Sequence, residues 1–320
     1  MSAAAKLAPI ALTCGDPAGV GPEVVLRWLE ENPGAAPAVC AIGPASWLEH
    51  LRVAVDPTMA TVEVGASDQR HEPGQPTDAG ARCALEAMDA AAAGCLEGQF
   101  RAVVTGPISK ARVQAVGYAL PGQTEFFAQA WGGTPTMAFA GGRLRVVLAT
   151  WHIPLADVPN ALDEPTLTLA VERAVFLVQA LGHDHPRIAL CGLNPHAGEA
   201  GLLGTEEFDR LNPIADKLRE RFPGLTRCLP ADTVFHRQLQ GEFDVVVALY
   251  HDQGLAPLKT LEFDRAVNLT LGLPFIRTSP DHGTAFDLAG RGLANHTSFA
   301  NAVELADRLA RYQASQRVDP

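Results

Sequence analysis

Three histidines in this chain follow short apolar runs: His152 in "RVVLATWHIPL", His196 in "RIALCGLNPHAGEAG" and His251 in "DVVVALYHDQGLAPLK". Runs of this composition predict strands buried on both faces. In open α/β sheets, ligands bind beyond the carboxyl ends of such strands. Neutral imidazoles at three of these ends suit a borderline divalent ion such as Zn²⁺, Co²⁺ or Ni²⁺, and three protein ligands leave coordination positions open for a substrate. The other reading is three independent turn histidines, because the wide spacing is not that of a local metal motif. Sequence pattern alone leaves both readings open.

A second group could hold an anion. Lys259, Asn268 and Arg277 lie in "LKTLEFDRAVNLTLGLPFIRTSPDHGTAFD", which is dense in polar residues yet framed by apolar runs. A lysine point charge, an arginine fork and an asparagine amide together suit a phosphate. "PGQTEFF" adds the hydroxyl of Thr124, and "TGPISK" puts Ser109 and Lys110 at a helix start, where backbone amides favour anions. Surface charges and helix caps would give the same letters. "GDPAGVGPE" is glycine-rich between a strand and a helix, but it is neither the G-x-G-x-x-G dinucleotide fingerprint nor a P-loop.

Elements that position these residues are legible as an alternation. The apolar runs "PIALTC", "AVCAIG", "RAVVTG", "RVVLAT", "RIALCGL" and "DVVVALY" read as strands. Helical stretches lie between them at Pro22 to Glu31, Ala79 to Leu96, Glu164 to Ala180 and Glu207 to Arg221, and a surface helix is expected over Asn301 to Arg311. Such alternation predicts α/β layers around a largely parallel sheet. Val245 to Tyr250 is expected to be strand throughout, with Gly254 and Pro257 stopping it in a turn. Ala66 to Gly80 reads as a loop, with Thr77 or Asp78 capping the helix after it. No linker marks a domain boundary.

The bulk properties narrow the class. A hydrophobic content of 47% is enough for a substantial core, and a formal net charge of −11 argues against non-specific nucleic-acid binding. It does not exclude a small anionic substrate held in a local basic pocket. Six scattered cysteines with no C-x-x-C pair predict reduced, mostly buried thiols and a cytoplasmic protein. Neither a signal peptide nor a membrane span is expected.

Taken together, "TCGDPAGVGPEV", "TGPISK", "GQTEFFA", "NPHAGE", "LPADTVF", "HDQGLAPLK" and "NLTLGLPFIRTSPDHGTAFDLAG" resemble the 4-hydroxythreonine-4-phosphate dehydrogenase family of pyridoxal phosphate biosynthesis, in the family's order over nearly the whole chain. The resemblance implies oxidation of the C3 hydroxyl of 4-phosphooxy-L-threonine with NAD or NADP, the β-keto acid then losing CO₂. It implies a homodimer whose subunits have two α/β/α domains of the isocitrate and isopropylmalate dehydrogenase kind, with the active site in the interdomain cleft and completed across the dimer interface. The expected division is residues 1–125 with 278–320, and 126–277 as the dimer-forming domain.

By motif, His152, His196 and His251 match ligands of one divalent ion (Zn, Mg or Co). Thr124, Lys259, Asn268 and Arg277 match substrate contacts, with Gln123 kept beside them, and Asp232 matches an aspartate of proton transfer, Lys259 being the other candidate for moving protons. One position departs from the family: Gly122-Gln123-Thr124-Glu125 stands where Gly-His-Thr-Glu is usual. Gln123 can donate a hydrogen bond to a phosphate oxygen, but it can neither carry charge nor exchange a proton. On the resemblance, the turn after the strand carries Lys259 back toward the substrate. Rival readings are a paralogous dehydrogenase for D-threonate 4-phosphate or an aromatic dihydrodiol, a phosphate acyltransferase of the same broad fold, and a non-catalytic phosphometabolite-binding protein.

Overall fold

A computed structural model describes residues 7–318. The strands in chain order are β1 (Ile10–Thr13), β2 (Val39–Gly43), β3 (Ala60–Glu63), β4 (Ala102–Thr105), β5 (Thr136–Ala140), β6 (Val146–Leu148), β7 (Ile188–Cys191), β8 (Leu225–Leu229), β9 (Val245–Ala248), β10 (Val267–Leu271) and β11 (Ile276–Pro280). The α-helices are α1 (Gly21–Glu31), α2 (Ala45–Ala54), α3 (Asp78–Leu96), α4 (Lys110–Ala115), α5 (Gln123–Trp131), α6 (Val158–Ala161), α7 (Glu164–Ala180), α8 (Asn212–Arg221), α9 (Ala231–Leu239), α10 (His251–Glu262) and α11 (Thr297–Val318). The chain forms two compact units, one running to Pro135 and resumed at Leu273–Ala314, the other Thr136–Gly272. The sequence had suggested breaks at 125 and 277; in the structure Arg277 falls in the first unit.

In the first unit the strands run β3-β2-β1-β4-β11, all parallel. Every residue of β1 and β4 is buried. The alanine-rich face of α3 (Ala81, Ala84, Ala87, Ala91) is buried too, and such small side chains let a helix approach a sheet closely. Thr77 caps α3: its Oγ1 accepts the Gly80 amide at 3.1 Å. The C-terminal helix α11 is longer than expected; it buries one face (Phe299, Ala302, Ala306 and Leu309) and exposes Glu304, Arg308 and Arg311 on the other, as a surface helix does.

The second unit orders its strands β10-β5-β6-β9-β7-β8. β6, β9, β7 and β8 are mutually parallel, while β5 is antiparallel to both β10 and β6. Helix α7 begins where Asp163 accepts the Thr166 amide at 2.9 Å, and it buries Leu167, Val171, Ala174, Leu177 and Val178. Each such Leu or Val contributes roughly 1.5–3 kcal/mol of burial. The amino-terminal ends of β7 and β9 are fastened by Asp244, whose carboxylate accepts from the Arg187 amide at 2.8 Å and its guanidinium at 2.6 Å, with His183 Nδ1 at 3.1 Å.

The segment after β9 corrects the sequence reading. The strand ends at Ala248, and His251 to Glu262 is helix, with Gly254 and Pro257 inside it. Lys259 is therefore not brought back by a turn. A rise of ~1.5 Å per residue carries it about 12 Å along the helix from His251. Gly254 serves packing: a Cβ there would lie 2.7 Å from Val146 Cγ1 and 3.0 Å from Leu148 Cδ2, so α10 sits against β6 closer than any side chain permits. Among the described residues no helix is long and apolar enough to cross a membrane, and all six cysteines are free and buried.

Candidate active site

The three histidines leave the same end of three adjacent parallel strands. His152 follows β6, His251 follows β9 and His196 follows β7, and the sheet order is β6-β9-β7. Asp232 heads α9 directly after β8, the next strand out. The rings of His152 and His251 lie 5.5 Å apart, centroid to centroid. Among the described residues no three His, Cys, Asp or Glu side chains are gathered closely enough to hold a metal. What the structure brings together is the His152–His251 pair, with His196 on the adjoining strand exit.

Two of these histidines rest on unusual backbone. His152 has φ 51°, and from His196 to Ala200 the chain runs through the left-handed region, with φ between 44° and 82°. For non-glycine residues this costs roughly 1–2 kcal/mol each, so surrounding contacts must hold it. Glu207, buried in a π-helical turn (Glu207–Leu211) that leads into α8, holds the chain just before His196. Its Oε1 accepts the amides of Leu193 and Asn194, both at 2.7 Å, and its Oε2 accepts from Asn194 Nδ2 at 2.9 Å.

Ring orientation suits ligation. His251 Nδ1 lies 2.7 Å from Asp252 Oδ1, and His196 Nδ1 lies 2.9 Å from Glu199 Oε2. With Nδ1–H donating to a carboxylate, Nε2 carries the lone pair, which is the arrangement metal-bound imidazoles show. The chemistry of these imidazole donors suits a divalent ion, but the described residues bring only His152 and His251 close together.

The anion group divides between the units. In the first, Arg277 of β11 is only 4% exposed. Its Nη2 donates to Thr105 Oγ1 at 2.7 Å and to Gln123 Oε1 at 3.0 Å, while its Nε donates to Thr105 Oγ1 at 3.1 Å. Burial pulls the guanidinium down to about 10, against the pull of Tyr118 and Glu125, so it stays charged at neutral pH. Gln123 is the first residue of α5 and its Nε2 donates to Gly106 O at 3.3 Å; Thr124, next on α5, is buried. Ser109 stands at the amino-terminal cap of α4, as expected. In the second unit Lys259 is half-buried on α10, Asn268 is half-buried on β10 opposite Phe139, and Asp232 is exposed.

Sequence reading passed over Thr105, Asp252, Glu199 and Glu207. A carboxylate one or three residues after a histidine was a legible signal for Asp252 and Glu199. Nothing local pointed to Glu207, whose partners lie on the preceding loop.

The profile of the family described as pyridoxal phosphate biosynthetic protein PdxA matches residues 37–306. The chain is similar to the 4-hydroxythreonine-4-phosphate dehydrogenase of Maricaulis maris, at 40% identity over 97% of this chain and 99% of that one. Among solved structures it is similar to the 4-hydroxythreonine-4-phosphate dehydrogenase of Klebsiella pneumoniae (35% identity, TM-score 0.80, 95% and 99% of the two chains). It is also similar to a terephthalate 1,2-cis-dihydrodiol dehydrogenase of Burkholderia xenovorans (30% identity, TM-score 0.70, 95% and 98%). The chain belongs to the PdxA family of pyridoxal phosphate biosynthetic proteins.

Proposed function

We propose that this protein is a dehydrogenase that oxidises the C3 hydroxyl of 4-phosphooxy-L-threonine, the β-keto acid formed losing CO₂ to leave 3-amino-2-oxopropyl phosphate on the way to pyridoxine 5′-phosphate. The observation that carries the reading is the row of histidines at three adjacent strand ends, in a chain about 40% identical over nearly its full length to proteins named for this activity. The reaction class requires NAD or NADP as hydride acceptor, and no residue is assigned to it. A homodimer in the cytoplasm belongs to the same reading.

A divalent ion held by His152, His196 and His251 would supply Lewis-acid polarisation of a substrate oxygen. Imidazole donors favour zinc or cobalt over magnesium. Arg277, oriented by Thr105 and Gln123, binds the substrate phosphate, with the Thr124 hydroxyl and the second amide hydrogen of Gln123 as further donors. Lys259 and Asn268 orient the rest of the substrate. The Lys259 amine and the Asp232 carboxylate are the groups assigned to take the hydroxyl proton and return one to carbon. The test is a spectrophotometric screen of phosphorylated four-carbon hydroxy acids with NAD and NADP, including D-threonate 4-phosphate and an aromatic dihydrodiol as competing substrates. Reduction of the cofactor by 4-phosphooxy-L-threonine above the others is expected; preference for either competitor would overturn the substrate assignment.

A further inference from the structure

Two cysteines that the proposed reaction does not use meet where the glycine-rich segment leaves β1. Cys14 is the first residue beyond that strand. Its amide donates to Ile42 O of β2 at 3.0 Å, and a Cβ on Gly43 would lie 3.0 Å from its Cβ. The Gly43 carbonyl accepts the Val64 amide at 3.0 Å, and the Cys83 thiol of α3 donates to Val64 O at 3.8 Å. Both cysteines are fully buried, and their thiols interact directly across this corner. His71 completes the group. Its Nδ1 lies 3.5 Å from where a Cβ on Gly80 would stand, one turn before Cys83 on the same face of α3, and its ring interacts with the Cys83 sulfur. Its Nε2 is buried with no hydrogen-bond partner.

We infer that Cys14 and Cys83 form an oxidation site: hydrogen peroxide closes them to a disulfide, and closure loosens the anion pocket around Arg277. The second half rests on the phosphate reading of Arg277 proposed above; the first half does not. His71 is placed to take the Cys83 proton. The thiolate then attacks one peroxide oxygen, the O–O bond breaks, and the hydroxide released takes the proton back from His71 as water. The Cys14 sulfur displaces hydroxide from the Cys83 sulfenic acid, its own proton leaving with that hydroxide as water. Two thiols and one peroxide thus give one disulfide and two waters. Cys83 is the member that ionises first: contact with Cys14, and then with His71, pulls its thiol below the usual range, while contact with Cys83 and burial push Cys14 up. Burial pushes the other four thiols up as well.

Closure reaches the pocket through backbone. A sulfur–sulfur bond is much shorter than the non-bonded contact it replaces, so the Cys14 loop and α3 must draw together. Cys14 and Gly15 lie directly on Gly106 and Pro107: a Cβ on Gly106 would lie 2.6 Å from Cys14 O, and one on Gly15 would lie 2.4 Å from Pro107 O. The Asp16 amide donates to Pro107 O at 2.9 Å, and the Gly106 amide donates to Thr13 O at 3.1 Å. The Gly106 carbonyl accepts from Gln123, whose Oε1 accepts from Arg277. A pull on Cys14 is therefore a pull on the residue that orients the guanidinium.

The experiment treats reduced full-length protein with hydrogen peroxide, blocks the remaining thiols with N-ethylmaleimide in denaturant, and maps the peptides by mass. Calorimetric binding of inorganic phosphate is measured before peroxide, after it, and after dithiothreitol. The Cys14 and Cys83 peptides should appear joined, with the other four cysteines blocked. Phosphate affinity should fall at least about fivefold on oxidation, the lower end of coupling between separate sites, and recover on reduction. Cys83→Ala should bind phosphate as the reduced wild type does and ignore peroxide; if it does not fold, Cys83→Ser gives the same control. Both cysteines still free after peroxide, or either one joined elsewhere, overturns the oxidation site. A Cys14–Cys83 disulfide that leaves phosphate affinity unchanged, or a Cys83 variant that loses phosphate on oxidation as wild type does, overturns the coupling alone. Reduced wild type that binds no phosphate overturns the phosphate reading of Arg277 and the coupling with it, while the peptide map still decides the disulfide.

Discussion

The imidazole rings of His152 and His251, distant in sequence, face each other at 5.5 Å between centroids across the ends of two parallel neighbouring strands. Neither lies in a helix interior or a sheet: His152 has left-handed backbone and His251 opens α10. Strand order brings these two imidazoles to one place, and the strand on the other side of β9 carries His196 at its exit.

Replacing either histidine with alanine should therefore remove the metal without removing the fold. His152 is exposed and His251 half-exposed, so little burial is lost. Co²⁺ affinity should fall by more than about a hundredfold, beyond the cost of losing an outer-shell partner. The melting temperature of the stripped protein should move little. Metal analysis after gel filtration and a thermal melt check both.

Arg277→Lys should weaken substrate binding while preserving charge. The guanidinium reaches Thr105 and Gln123 as a fork, and an ammonium cannot reproduce that geometry in a site this buried. KM for the phosphorylated substrate should rise at least about tenfold, or 1.4 kcal/mol, with a smaller change in kcat. An unchanged KM would remove Arg277 from the site.

Gln123→His probes the departure from the family pattern. Gln123 accepts from Arg277 with Oε1 and donates to Gly106 with Nε2, with no proton to lose near neutrality. KM should be nearly flat between about pH 6 and 8 in the wild type and should vary in the variant, since imidazole titrates there and its cation cannot accept from Arg277. We expect kcat to stay within about tenfold. A gain of several hundredfold would assign the wild type a different substrate.

Gly254→Ala should disturb the site from behind. The new methyl meets Val146, Leu148 and Ala248 within 3.1 Å, and overpacking of this kind costs about 1–3 kcal/mol, against about 1 kcal/mol that alanine gains over glycine in a helix. The melting temperature should fall and Co²⁺ affinity with it, because α10 carries His251.

Acid should loosen the second unit through Asp244. Burial pushes this carboxyl up, but the hydrogen bonds from Arg187 and the nearby His183 outweigh it and hold the group below the usual carboxylate range. A folded-state value below the unfolded one stabilises above the unfolded pKa of about 3.9, and that contribution is lost as pH falls through the folded value. Asp244→Asn should melt below wild type at pH 7, and the gap should close below about pH 4.

The histidine row was legible because the strands bearing it are uninterrupted apolar runs, and runs of that kind announce their own ends. Helix α7 was equally clear from its Asp-Glu-Pro start. Helix α10 was not, because Gly254 and Pro257 are local breakers, whereas the fold uses Gly254 for contact with β6. The short strands β3, β5, β8, β10 and β11 escaped notice: β3 has no buried residue, and "NLTL" and "IRTSP" read as polar stretches although their neighbours bury most of them. The left-handed turn at His196 could not be read from residues that ordinarily avoid it. Glu207, which holds the amides just before that turn, is distant from it in sequence and carries no local signal.

The most direct test follows NADH formation from 4-phosphooxy-L-threonine in wild type before chelation, after exhaustive chelation, and after Co²⁺ or Zn²⁺ is returned. The account predicts that activity disappears with the ion and returns with it. Full activity in the metal-free protein would contradict it.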